Sequence, residues 1–382
     1  MTQGISTRTD YQRPAEAFPP GEYLADELEA RGWKQNEFAE IIRRPVKVVN
    51  EIILGKKSIT PDTAYELSAA LGTSPQYWLN LQSSYDLWLT EPPKAADLIS
   101  REAALRERFP VREMIKFGWI QESKNFEVLE SQVFRYFGIS SISEQPAMSF
   151  AARRNYNEDF SNLQEAWIYR VKHLASALNA PKFDVTKLKG NLAELELLMT
   201  EPEEIRRVPD FLFRHGVRLV VVEPIPGSKI DGVCFWIDES SPVIGLTLKL
   251  DYIDNIWFNI WHELEHVIRG DGKDGIVIDD FTGGTLDSLD VAEVAANTAA
   301  AERCVPQKAL ADFVLRHAPL FSTQSFLGFS RIMKRHPGIV AGQLQRRIKR
   351  PELFKKFQSR VRDILVSTAL SDGYGHKPNL PV

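Results

Sequence analysis

Two histidines four residues apart enclose two glutamates in the run His262-Glu263-Leu264-Glu265-His266. On a helix, positions i and i+4 share one face one turn apart, so both imidazoles can chelate a single ion, and zinc suits this donor pair. Glu263 falls about 100° round the helix from His262, beside the ligands, where a carboxylate can take a proton from an activated water. Glu265 reads as a surface charge. A catalytic zinc needs a third protein ligand, with water in the fourth position. Glu293 is the candidate. It opens the next helical stretch, VAEVAANTAAAER, and Asn297 follows on the same face, placed to orient a histidine from outside the ligand set. The alternative is a pair of satisfied core histidines, since Trp257, Phe258 and Trp261 make this helix apolar. Burying such a cluster without an ion would crowd several polar groups that each need a partner.

A second chemistry lies near the N-terminus. Residues 43–57 carry five basic side chains and one acidic one. Helical patterns over Gln35 to Ile42 and Val46 to Ile53, joined by a short turn, have the form of a helix-turn-helix. The N-terminal residues of its second helix face base edges, which makes Lys47 and Asn50 the reading candidates. Gln35, Arg43, Arg44, Lys56 and Lys57 are the candidates for phosphate contacts. Residues 1–92 hold nine basic and thirteen acidic groups, so one copy is a weak electrostatic binder. Tight binding to a double-stranded operator then implies a homodimer, two half-sites acting together.

These residues need elements to position them. A polar tail covers residues 1–18. A helix-turn-helix domain of five short helices spans 19–90, with Thr60-Pro61 and Ser74-Pro75 as helix starts and Gly55 and Gly72 as stops. Residues 91–206 are mostly helical without a chemistry signal and read as a connector. A small mixed α/β domain follows over 207–306. Its strands begin at the β-branched runs near 217–222, 232–237 and 243–248, and its helix from Tyr252 to Ile268 carries the motif. The strand edge near residues 233–237 is open to an extended peptide by strand addition. The Gly/Asp-rich linker 269–290 reads as a solvated turn rather than a calcium site. Residues 307–382 are helical and basic toward their end, with Arg346, Arg347, Lys349, Arg350, Lys355 and Lys356. The fold class expected is mostly helical α+β.

The chain has 382 residues, 43% hydrophobic and 26% charged, with a net charge of -4, which excludes binding nucleic acid through bulk charge. Two cysteines far apart, Cys234 and Cys304, form no disulfide framework and fit a reducing, cytoplasmic setting. No apolar run reaches membrane-spanning length.

Two family resemblances attach to these residues. The stretch SPVIGLTLKLDYIDNIWFNIWHELEHVI, followed by EVAANTAAAERCVP, resembles the ImmA/IrrE metallopeptidase family, which shows a strand, a HELGH helix, then Glu-x-x-Ala-Asn and a helix-ending proline. The resemblance implies a zincin-like domain with His262, His266 and Glu293 as zinc ligands, Glu263 as catalytic base, and a repressor-type protein as substrate. The chain departs from the pattern at Glu265, where glycine is usual, and at Ala299, where an aromatic is common. Neither position is in the ligand set. HPGIVAGQLQ, residues 336–345, is similar to a C-terminal segment of such fused regulators and makes His336 a candidate near the site, with a purely structural histidine as the alternative. Residues 20–90, ending in PQYWLNLQSSYDLW, resemble HigA-type antitoxins of the Cro/repressor superfamily, which implies operator DNA and a cognate toxin as partners. Three readings stay open: an antitoxin regulator fused to a zinc endopeptidase, a regulatory protease acting on a repressor or partner, and a catalytically dead protein that neutralises a toxin by contact.

Overall fold

Capping residues set the N-terminal helices. Thr60 Oγ1 accepts from the Thr63 backbone N–H at 3.4 Å and Ser74 Oγ from that of Tyr77 at 3.1 Å, each with proline at the first helical position. The five helices are α1 (Pro20–Ala30), α2 (Gln35–Ile41), α3 (Val46–Ile53), α4 (Pro61–Leu71) and α5 (Pro75–Leu89). Gly72 ends α4 at φ 73°, a left-handed conformation that costs glycine little. Leu24, Leu28, Phe38, Val49, Ile52, Leu67 and Trp78 form their common core. Gly21 is required for this packing, because a Cβ there would stand 2.0 Å from the Ile52 carbonyl oxygen.

The computed structural model describes residues 16–91, 96–148, 161–273, 275–279 and 291–378. The chain divides between Asp97 and Leu98 into two compact units, of which the five helices belong to the first. Most of the expected tail, residues 1–15, lies outside the described residues.

The second unit is built on a five-stranded sheet in the order β4-β2-β3-β1-β5. The strands are β1 (Arg218–Val222), β2 (Gly232–Trp236), β3 (Pro242–Leu246), β4 (Val277–Asp279) and β5 (Leu370–Asp372). β1 runs parallel to β3 and β5, and β2 runs antiparallel to β3 and β4. Successive side chains of β1 point to opposite faces, and both faces are buried. Val220 and Val222 pack under one helical layer, while Leu219 and Val221 pack under the other. That two-sided burial is why the strand is a continuous β-branched run.

The first layer contains α6 (Ala96–Arg108), α7 (Val111–Lys116), α8 (Phe126–Phe137) and α9 (Asn162–Ser176), with Leu105, Phe109, Val133, Trp167 and Val171 in its core. The stretch expected to be a connector therefore covers the sheet, mostly through this layer. The second layer contains α10 (Val185–Leu197), α11 (Val208–Arg214), α12 (Ile253–Arg269), α13 (Val291–Cys304) and α17 (Arg362–Val366). A smaller core joins α14 (Gln307–His317), α15 (Thr323–Met333) and α16 (Pro337–Ile348) through Leu310, Phe313, Phe326 and Leu344.

Two expectations about the sheet are corrected. The C-terminal region is not wholly helical, because β5 completes the sheet beside β1. The edge offered for strand addition is occupied over Gly232–Cys234 by β4, from the linker that read as a turn. Both strands are three residues long, too short to show a period-two pattern.

Candidate metal centre and nucleic-acid interface

α12 buries Ile253, Ile256, Trp257, Ile260, Trp261, Leu264 and Val267 against the second layer. Gly270 ends it at φ 81°, and the Asp271 backbone N–H returns to the His266 carbonyl at 2.9 Å. This turn brings the Asp271 carboxylate 3.0 Å from His266 Nδ1. Asp271 is held in turn by Arg269 Nε at 3.2 Å, and its carbonyl accepts from Trp236 Nε1 at 3.0 Å. With Nδ1–H donating to the carboxylate, the neutral His266 ring presents a lone pair at Nε2.

That Nε2 lies 3.1 Å from His262 Nε2. Glu293, near the start of α13, places Oε2 3.4 Å from His262 Nε2 and Oε1 3.4 Å from His266 Nε2. Ligands about 2.0–2.1 Å from a tetrahedral ion stand roughly 3.3 Å from one another, and each of these contacts, with Glu293 turning a different oxygen to each histidine, has about that length. Both histidines are fully buried and the Glu293 side chain is 13% exposed. The three form a potential metal-ligating group among the described residues.

Glu263 is also fully buried, beside the ligand face. A Cβ on Gly232 would stand 1.8 Å from Glu263 Oε1, so any other residue at the start of β2 would displace this carboxylate or the strand. Glu265 is partly exposed and stands outside the ligand group.

Two further residues expected near the site lie outside the ligand group. Asn297 is partly buried on α13, yet among the described residues the outer partner of His266 is Asp271. His336 is the N-cap of α16: its Nδ1 accepts from the Gly338 N–H at 3.1 Å and its own N–H donates to the Met199 carbonyl at 2.8 Å. An accepting Nδ1 needs the neutral ring, and burial lowers the His336 pKa in the same direction. Asp271 was hidden among the linker aspartates, and its signal was its place directly after the helix-ending glycine. Asp274, Asp280, Asp287 and Asp290 lie outside the described residues.

In the first unit, Gln35, Arg43, Lys47, Asn50, Lys56 and Lys57 are all exposed, around α2, α3 and the turn after α3. Lys47 is 83% exposed, with Glu51 one turn away at 3.7 Å. Arg44 differs from the rest. Its fork is taken by Glu66 of α4 at 2.8–3.1 Å, and this hydrogen-bonded pair raises its pKa. Arg44 therefore ties the α2–α3 turn to α4 through its Nε and Nη2.

A helix-turn-helix family model matches residues 24–78. The chain is 33% identical over 79 residues to the HTH-type transcriptional regulator YddM of Escherichia coli K12, covering 21% of this chain and 82% of that protein. Through this module the chain belongs to the helix-turn-helix family. Antitoxin HigA-1 of Vibrio cholerae is 39% identical over 71 residues, 18% of this chain and 67% of its own length. Among solved structures, the Pseudomonas aeruginosa antitoxin HigA with its higBA promoter is similar at 34% identity, over 19% of this chain and 79% of that one, with a TM-score of 0.19. An addiction module antidote protein of the HigA family from Coxiella burnetii is similar at 30% identity, over 29% of this chain and 99% of that one, also with a TM-score of 0.19. No described helix is long and apolar enough to cross a membrane.

Proposed function

We propose that this chain is an operator-binding regulator of the HigA antitoxin type whose second unit is a zincin-like, zinc-dependent endopeptidase of the ImmA/IrrE kind. The observation that carries the enzymatic half is the convergence of His262, His266 and Glu293 at edges of 3.1–3.4 Å, with Asp271 orienting His266. These three residues would hold zinc, which when bound would supply Lewis acidity and make a water more acidic. Glu263 takes a proton from water as the water oxygen joins the peptide carbonyl carbon, and returns it to the amide nitrogen as the C–N bond breaks.

The regulatory half rests on the helix-turn-helix match and on the exposure of Lys47 and Asn50 on α3. Lys47 and Asn50 read base edges, and Gln35, Arg43, Lys56 and Lys57 hold phosphates. The acidic balance of residues 1–92 makes a homodimer on double-stranded operator DNA the working form. A toxin or repressor protein is the second partner, and the buried thiols of Cys234 and Cys304 suit the cytoplasm.

Complete burial of Glu263 also favours one alternative, a metal-stabilised unit that binds a toxin without hydrolysis. Glu263→Gln separates the two. On the endopeptidase reading it keeps zinc and abolishes cleavage of the partner. Unchanged biological activity in that variant overturns the reading and leaves the contact antitoxin.

A further inference from the structure

α16 packs on the first turns of α12. A Cβ on Gly338 would meet Ile253 Cγ2 at 2.8 Å, and one on Gly342 would meet Asp254 Oδ2 at 2.1 Å. One turn further, Arg346 Cζ sits 4.6 Å from the centroid of the Phe258 ring, and its Nη2 donates to Asn255 Oδ1 at 3.1 Å. The C-terminal end of α16 is thus the end nearer the metal centre, since Phe258 and His262 have ring centroids 6.2 Å apart.

The chain is strongly basic from this point. Residues 346–360 hold seven Lys or Arg and one Glu, in a protein with a net charge of -4. The segment folds back on itself. Arg350 N–H donates to the Gln345 carbonyl at 3.1 Å, and Gln345 Nε2 donates to the Leu353 carbonyl at 2.6 Å. It then returns to α12, where Ile253 N–H donates to the Ser359 carbonyl at 2.9 Å and Arg360 bridges to Tyr252. Both halves of the segment therefore flank α12 between Tyr252 and Phe258. Arg346 approaches Asp254 at 3.7 Å and Arg350 pairs with Glu352 at 3.0 Å. Arg347, Lys349, Lys355, Lys356 and Arg360 are exposed and have no carboxylate partner among the described residues. Asn255, Phe258 and Asn259 are only partly buried, so an accessible face of α12 leads from these cations toward His262.

We propose that this face selects the substrate of the metal centre: an extended peptide segment bearing Asp or Glu side chains a few residues from the bond to be cut. The proposal rests on the endopeptidase reading above. From Tyr252 to His262 the helix rises about 15 Å, the span of roughly four or five extended residues. Carboxylates along that span relieve the mutual repulsion of the unpaired cations and speed encounter. The same cations could attract duplex DNA or an anionic membrane, but their place along the helix that carries His262 favours the peptide.

The test uses full-length Glu263→Gln protein, so that peptides stay intact, and two fluorescent peptides that differ only in Glu against Gln at the flanking positions. Fluorescence anisotropy at low salt should show the Glu peptide binding about tenfold more tightly, as expected for a few exposed ion pairs. Arg346→Gln with Arg347→Gln should reduce the preference to within about twofold. Because Arg346 also faces Asp254, Arg347→Gln with Lys349→Gln, two of the exposed cations without a carboxylate partner, serves as a second variant that leaves the α12 packing intact, and it should weaken the preference too. Equal affinities for the two peptides, or a preference that survives both variants, overturns the proposal. So does loss of binding to an unrelated duplex or to phosphatidylserine vesicles in these variants without any acidic-peptide preference. Zinc content is measured alongside. Zinc-loaded protein without a preference sinks this proposal alone, whereas zinc-free protein that keeps the preference sinks the hydrolytic reading and leaves an acidic-peptide binding face.

Discussion

The Asp271 carboxylate lies 3.0 Å from Nδ1 of His266, and the turn that places it is closed by the Gly270 C-cap. A carboxylate in this position fixes the tautomer of a ligating imidazole and strengthens it as a donor. Asp271→Ala should therefore weaken zinc binding by about 10- to 100-fold, with Asp271→Asn retaining part of the affinity. Chelator competition measures this, and equal affinities for Asp271→Ala and wild type would refute the role of Asp271.

Gly232 and Glu263 share one space. In Gly232→Ala the added Cβ would stand 1.8 Å from Glu263 Oε1, so either β2 or the carboxylate must shift. Such overpacking costs about 1–3 kcal/mol, which calorimetry should register as a lower Tm. Zinc content should persist, because none of the three ligands is displaced. A Tm at the wild-type value would show that the pocket is roomier than this distance implies.

Asp372, on the last strand, anchors β5 through a buried ion pair with Arg170 at 2.5 Å and a hydrogen bond from Trp119 Nε1 at 3.0 Å. The Asp372 and Arg170 side chains are 10% and 16% exposed, and removing one partner strands a buried charge. Asp372→Ala should cost about 3–5 kcal/mol in urea unfolding. A loss below ~1 kcal/mol, the range of exposed pairs, would contradict this anchoring.

Acid should unfasten α16. Burial lowers the pKa of His336 below its ordinary 6.5, so the folded state prefers the neutral ring that caps Gly338 N–H. The contribution is complete above pH ~6.5 and is lost as pH falls through the lower folded-state value. His336→Asn keeps a capping acceptor without the titration. Its urea midpoint should fall less than that of wild type between pH 7.5 and pH 5; parallel losses would rule out His336 as the source.

On the helix-turn-helix, Lys47→Ala with Asn50→Ala should weaken operator binding by about 1–3 kcal/mol for each base-edge hydrogen-bonding side chain removed, while leaving the melting curve in place. Arg44→Ala should do the reverse. It breaks the fork to Glu66 and lowers the stability of the five helices, with only a small effect on DNA affinity. Gel shifts and melting curves of both variants separate the roles, and a large affinity loss in Arg44→Ala at unchanged stability would assign Arg44 to a phosphate.

The candidate ligand set was legible because helical periodicity alone puts His262 and His266 on one face, and Glu293 opens the next helix. The capping residues Thr60 and Ser74 and the strand run before Val222 were legible for equally local reasons. Asp271 was not, since an aspartate in a Gly/Asp-rich turn looks the same whether it meets water or His266. The layer formed by α6 to α9 carries no motif, and its packing on Val220 and Val222 depends on the tertiary fold. The Arg44–Glu66 pair, 22 residues apart, and the Arg170–Asp372 pair, 202 apart, join elements that no local pattern connects. The family segment points His336 toward the metal, whereas its position directly before Pro337 marks it as a helix cap.

Metal analysis of the purified full-length chain beside His262→Ala tests the shared claim of His262, His266 and Glu293 most directly. The expected result is about one zinc per wild-type chain and a large loss in the variant. Wild-type protein free of metal after purification without chelators, or a variant holding zinc as tightly as wild type, would contradict it.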